Sequence, residues 1–230
     1  MVKNHLTRLT APKSWTLKRK LTKWIAKPSS GPHKIVNSVT VDLLLKTLLS
    51  YTKTTKEVKQ ILHNKDFVVN GKVIRDHKFP VGVMDIIELP KLKEIYQVLF
   101  DVKGKLSLYP IKSSSSKLCK VIGLTILKKK KMQVNLHDGK NILLDKFDGK
   151  VGDTVIFNFK SKQIEKVLKL EKDALIYLIY GKHTGTFGSV KEIIPVKGFE
   201  KQRLVYIIDG VDTETLKDYV FVVDKGLIAI

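Results

Sequence analysis

From Ile95 to the end of the chain the apolar residues recur at every second position in short runs, and this period limits the fold more than any other feature. The runs YQVLFD, KLSLYPI, CKVIGLTIL, MQVNL, NILL and TVIFNF are divided by Lys103-Gly104, by 112–117, by Asp138-Gly139 and by 149–153. Short strands at this spacing predict a small β-barrel or sandwich. Cys119 falls inside one run and reads as a small core residue. A hydrophobic fraction of 43% excludes wholesale disorder.

Two helical signals precede the strands. Val41, Leu44, Leu45, Leu48 and Leu49 make an apolar stripe with Thr40 as its N-cap. Thr54 and Glu57 match a capping box that opens a second helix, turning Val58, Ile61 and Leu62 inward. Lys53, Lys56 and Lys59 cluster at its start, where free amides and the helix dipole favour a phosphate. Phe67 to Ile74 then reads as strand, Asn70-Gly71 turn and strand, with Gly71 supplying the turn and Arg75 just beyond it. Asp85 to Leu89 adds another strand, and Gly82 is expected to serve a nearby turn. Two helices followed by VVNGKV resemble an RNA-binding module shared by a bacterial small-subunit ribosomal protein and several pseudouridine synthases.

Lys3 to Lys34 holds nine Lys or Arg, two Trp and no acid; the first carboxylate is Asp42. The net charge is +21. Each cation that neutralises a phosphate gains counterion-release free energy, which an acid would forfeit, so this is the composition of a nucleic-acid-binding arm. Within it, WTLKRKLTKWIA spaces Leu17, Leu21, Trp24 and Ile25 as a short helix over Trp15 to Ala26, ended by PSSGP. Both Trp suit either base stacking or local packing. Pro12, Pro28 and Pro32 interrupt any amphipathic helix, which favours mature structure over a transit peptide.

A third unit begins near Ala174. In IYLIYGKHTGTFGSVKEI an apolar strand meets Gly181, Gly185 and Gly188 before Val190 and Ile193. The spacing resembles a KOW motif, a strand-loop-strand element of SH3-like barrels, with Gly185 where the loop demands positive φ. A nucleotide-binding P-loop is excluded, because G-x-x-x-x-G-K-[ST] is absent and the glycines lead into a strand. Arg203 to Ile208 and Tyr219 to Val223 read as strands around an acidic turn with Asp209, Asp212, Glu214 and Asp218. The Lys128-Lys129-Lys130-Lys131 run sits at a hairpin tip.

Other functions lack their signatures. One cysteine excludes a disulfide framework or thiolate zinc site, and the six His never fall at close ligand spacing. No run approaches the roughly 18 apolar residues of a membrane span. No nucleophile–base pair, cofactor loop or paired-carboxylate motif is recognisable, so no enzyme, cofactor or small-molecule substrate is expected.

HLxRLxAPKxW at the start, GPHK at Gly31 to Lys34 and FPVGxMD at Phe79 to Asp85, in that order before the β region and KOW-like element, closely resemble the small-subunit ribosomal protein S4e family over essentially the whole chain. The ending at LIAI is similar to the archaeal form. RNA-binding modules of this kind often carry Gly-Asp where Met84-Asp85 stands. The resemblance implies a cytoplasmic structural component of the small ribosomal subunit, with ribosomal RNA and neighbouring ribosomal proteins as partners. A KOW-containing transcription or RNA-processing factor is the alternative. The expected fold is α+β, mostly β: a basic arm (1–40), a helix-pair RNA-binding module (41–92), a central β-barrel-like domain (93–172) and a KOW-like barrel (173–230). Candidate RNA contacts are Lys3, His5, Arg8, Lys13, Trp15, Lys18, Arg19, Lys20, Lys23 and Lys34 of the arm, Lys53, Lys56, Lys59 and Arg75 of the module, and Lys128 to Lys131, Lys182 and His183 of the loops.

Overall fold

Among the described residues antiparallel strand pairing dominates, with only two short α-helices. The computed structural model describes residues 4–111, 115–128, 131–195, 200–208, 210–224 and 226–228; Lys3, Lys129, Lys130 and Asp209 lie outside them. Two compact units divide the chain. One runs to Phe100 and resumes over 104–115, and the other takes 101–103 and 116–228.

The first unit opens with a clasp. Strand β1 (Leu6–Thr7) pairs with β2 (Trp24–Ile25), Leu6 opposite Ile25 and Thr7 opposite Trp24. The helix expected over Trp15 to Ala26 does not form. Arg19 with Lys23 and Lys23 with Lys27 would repel at i,i+4, and no acid in the segment offsets them. The carbonyls of Lys18 and Thr22, which a helix would use, instead accept from the Arg8 guanidinium at 3.1 and 3.0 Å.

Strand β3 (Ser38–Thr40) leads into α1 (Val41–Leu43), and the Thr40 hydroxyl accepts from the Leu43 amide at 3.3 Å, as a cap should. The helix widens at once into a π-turn over Leu44–Leu48, closed by the Leu49 amide on the Leu44 carbonyl at 3.0 Å. Helix α2 (Thr55–His63) follows, burying Val58 and Leu62. Strands β4 (Val68–Val69) and β5 (Lys72–Val73) meet across Asn70 at φ 50° and Gly71 at φ 73°, the paired left-handed conformation of an Asn-Gly hairpin.

Strand β6 (Pro80–Gly82) pairs with β3, and β7 (Ile86–Leu89), β8 (Glu94–Phe100) and β9 (Leu106–Pro110) complete a sheet ordered β5-β4-β7-β8-β9. That sheet runs unbroken across position 93. Gly82 opens the turn before β7, its carbonyl accepting the Asp85 amide at 3.1 Å, but the left-handed conformation falls on Met84, at φ 67°. Gly82 also admits the His33 ring, to which a Cβ there would come within 2.2 Å. A glycine in place of Met84 would relax the backbone, but Met84 is fully buried and its burial offsets the strain.

The second unit holds two five-stranded sheets. Strands β10 (Ser116–Ile126), β11 (Met132–Leu136), β12 (Asn141–Leu144), β13 (Thr154–Asn158) and β14 (Ile164–Leu168) run in the order β12-β11-β10-β13-β14. The first half of β10 pairs with β13 and the second with β11, and the register shifts between Val121 and Gly123. Such a bulge bends the strand and curls its sheet over the Cys119, Val121, Val134, Val155 core.

Strands β15 (Leu175–Leu178), β16 (Phe187–Ile193), β17 (Arg203–Ile208), β18 (Val211–Leu216) and β19 (Val220–Val222) run in the order β18-β17-β16-β15-β19, enclosing Ile176, Leu178, Val190, Leu204 and Tyr206. The expected acidic turn is therefore mostly strand. Asp212 and Glu214 lie on β18, ion-paired with Lys191 and Arg203. The β-branched Val211, Thr213 and Thr215 supply the extended propensity that the charges mask.

Candidate nucleic-acid interface

The clasp has little apolar interior and is held by guanidinium groups. Arg8 donates from Nε to the Thr22 carbonyl, from Nη1 to that of Lys18, and from Nη2 to the Thr22 hydroxyl at 2.9 Å. Arg19 reaches the carbonyls of Leu9 and Ala11 at 2.9 and 3.3 Å. A planar fork of five donors can gather carbonyls from separate turns, which a lysine cannot. Both arginines therefore work inside the arm, leaving Lys13, Lys18, Lys20, Lys23 and Lys34 exposed around it.

The two tryptophans part company. Trp15 is only 2% exposed, and its indole N–H donates to the Ser38 carbonyl at 2.6 Å. Beside it the Leu106 amide donates to the Ser14 carbonyl at 2.8 Å and the Thr16 hydroxyl to the Leu106 carbonyl at 3.2 Å. Trp15 therefore anchors the arm to the body and offers no face to a base. Trp24, absent from the candidates, is 50% exposed, with His5 edge-on at 4.9 Å and the Lys23 ammonium 5.1 Å from the ring centre. Helical spacing sets Trp24 on the apolar stripe and leaves Trp15 among the candidate RNA contacts; the fold reverses the two, burying Trp15 and leaving Trp24 half-exposed.

The GPHK and FPVGVMD stretches meet at one buried carboxylate. Asp85 accepts the Gly82 amide and the Asn70 side-chain amide, both at 2.8 Å, and its Oδ2 lies 3.0 Å from His33 Nε2. His33 is thereby built into the body while Lys34 beside it faces outward.

At the start of α2, Lys53, Lys56 and Lys59 are exposed. The phosphate seat expected there is filled from within. Glu57 accepts the Lys53 amide at 2.8 Å and the Thr54 hydroxyl at 2.7 Å, and the first of these bonds leads in holding its carboxyl below the usual range. A negative charge thus stands where phosphate was expected. An open groove of about 540 Å³ nearby, lined by Leu45, Ile61, Leu89, Glu57, Asp66 and Lys91, has its Asp66 charge matched by Lys91, which leaves Glu57 as the group in it that disfavours phosphate. Arg75 is exposed just past β5.

In the second unit Lys128 and Lys131 are exposed between β10 and β11, where the Leu127 amide donates to the Lys131 carbonyl at 2.8 Å. Lys182 is exposed and His183 half-buried in the β15–β16 loop. The loop turns at Gly181 and Gly185, with φ 99° and 86°. A Cβ on Gly185 would lie 2.3 Å from the Asp101 carbonyl oxygen, and one on Gly188 would lie 2.8 Å from that of Ile207.

Two further lysines are internal, which their sequence context does not reveal. Lys117 sits fully buried 3.2 Å from Asp138. Burial pushes the Asp138 carboxyl up, but nearby positive charge, led by Lys117 and Lys140, outweighs it and holds the group well below the usual carboxylate range. Lys120 donates to the carbonyls of Lys217, Asp218 and Val220 at 3.0, 3.0 and 2.7 Å, and burial pushes its ammonium down to about 8. It ties β10 to the approach of β19.

Comparison with known proteins completes the picture. Residues 92–164 match the family model described as Ribosomal family S4e, and residues 2–36 match the RS4NT (NUC023) domain. The small ribosomal subunit protein eS4 of Methanocella arvoryzae is 36% identical over 98% of this chain and 96% of that protein. The eS4 of Methanocaldococcus jannaschii is 36% identical over 96% and 94%. The crystal structure of 30S ribosomal protein S4e from Thermoplasma acidophilum superposes with a TM-score of 0.70 at 28% identity, covering 81% of this chain and 95% of that one.

Proposed function

Because this chain belongs to the S4e family, we propose that it is a structural constituent of the small ribosomal subunit in the cytoplasm, binding ribosomal RNA and neighbouring ribosomal proteins and supporting assembly. One observation carries the RNA part of this reading: a clasp without a single acid, folded by its own arginines, presents Lys18, Lys20 and Lys23 to solvent together. Such a surface repels protein cations and attracts phosphate. Most of the exposed cations are lysines, which bind phosphate as point charges, so recognition follows RNA shape more than base sequence.

The layout assigned to this role is an anchored arm, a helix-pair module and loops on the second unit. We assign the β15–β16 loop as KOW-like, supported by the tight packing of Gly185. The deciding experiment is sedimentation of small subunits through a high-salt wash. A stoichiometric constituent stays with the particle. Release into the supernatant would favour a KOW-containing factor instead.

A further inference from the structure

We infer that Trp24 is a stacking platform for an unpaired nucleotide base, with Lys23 as its phosphate partner. The inference rests on the reading above, that this chain binds RNA, and adds to it a single-stranded contact.

The indole is not carried on a loose tail. Its backbone is in register with Thr7, the Arg8 amide donates to the Lys23 carbonyl at 2.9 Å, and Arg8 also holds Thr22 through both backbone and side chain. The residue is nevertheless 50% exposed, in a segment where Leu9 and Leu21 are also exposed and every charged side chain is a cation. A large aromatic left open and held in place, with the Lys23 ammonium beside it in an acid-free segment, combines the two elements by which proteins grip single strands, a π-face and positive charge for the backbone.

The contacts Trp24 already makes suit an exchange. An exposed cation–π pair is weak, so an incoming base displaces the Lys23 ammonium from the ring, and the freed ammonium meets the phosphate beside that base. His5, edge-on at 4.9 Å, braces the ring during the exchange. An apolar partner protein would gain the same surface, but docking it would bring Lys23 against apolar groups and desolvate it without a counter-charge.

Binding of the full-length chain to a short oligouridylate and to an RNA duplex tests this, in wild type, Trp24→Phe and Trp24→Leu. Leu keeps an apolar side chain but removes the stack; Phe keeps a smaller one. Expected for Trp24→Leu is a loss of oligouridylate affinity of about 5- to 150-fold, the cost of one base–aromatic stack. Duplex affinity and the salt dependence stay within about twofold, and Trp24→Phe falls between. Oligouridylate should also quench wild-type tryptophan emission while leaving Trp24→Phe, which retains only buried Trp15, unchanged. Equal oligouridylate binding by wild type and Trp24→Leu, with duplex binding intact, would overturn the stacking assignment and leave the RNA-binding reading standing. Failure of wild type to bind either RNA would overturn both. Crosslinking of Trp24 to protein rather than nucleotide in intact subunits would also overturn it.

Discussion

The N-terminal clasp and the sheet built on β10 both bring positive charge close to backbone, to different ends. In the clasp Arg8 and Arg19 grip carbonyls of a segment that buries little apolar surface, so guanidinium bonds stand in for a core. In the second unit Lys117 and Lys120 lie beside well-packed apolar clusters, where a buried ammonium that loses its partners is left uncompensated. Removing the charge should therefore have different consequences in the two places. In the sheet it should threaten the whole unit, whereas in the clasp it should loosen only the clasp.

The largest expected effect is at Asp138. Asp138→Ala leaves the buried Lys117 ammonium without its carboxylate and should cost about 3–5 kcal/mol in denaturant unfolding. The same pair predicts acid sensitivity. A carboxyl held below its unfolded value contributes stability above about pH 4 that is lost as pH falls further, and Asp138→Ala should lack this limb. A wild-type curve flat through this range would break the contrast.

Gly185→Ala comes next, at about 2–4 kcal/mol, since a Cβ there meets the Asp101 carbonyl and φ is 86°. Thermal unfolding measures it. Arg8→Ala should open the clasp locally by about 1–3 kcal/mol, seen as faster exchange of the amide at position 8 and new protease cleavage near Lys18 to Lys23. The global transition should barely move. A large global loss would mean that the clasp is part of the core.

The smallest change in stability, within about 0.5 kcal/mol, is expected for Lys18, Lys20 and Lys23 replaced together by Ala. Yet the slope of log affinity against log salt should fall by about 2–3 units, at roughly 0.7–0.9 per phosphate contact. An unchanged slope would remove these side chains from the RNA interface.

How much of this was legible in the sequence depends on how local each determinant is. The α2 capping box, the Asn70-Gly71 hairpin and most strands follow from residues within a few positions of one another, and all form as expected. The clasp was misread because the Arg8 to Lys18 and Arg8 to Thr22 bonds join residues that local periodicity never compares. Strand β18 was misread because Asp212 and Glu214 find their cations on β16 and β17. The roles of the two tryptophans were undecided for the same reason, since Trp15 is fixed by the Ser38 carbonyl, 23 residues away, whereas Trp24 stays half-exposed beside His5 and Lys23.

The bonds joining Ser14 and Thr16 to Leu106 bear on synthesis as well as structure. They span about 90 residues. At roughly 5–20 residues per second, the polycationic leader emerges from the ribosome about 5–18 seconds before the strand that secures it emerges in turn. Throughout that interval every copy being made presents an unsecured acid-free chain in a cell full of RNA. Limited proteolysis of stalled nascent chains should find Lys18 to Lys23 accessible until β9 has cleared the exit tunnel, and protected afterwards.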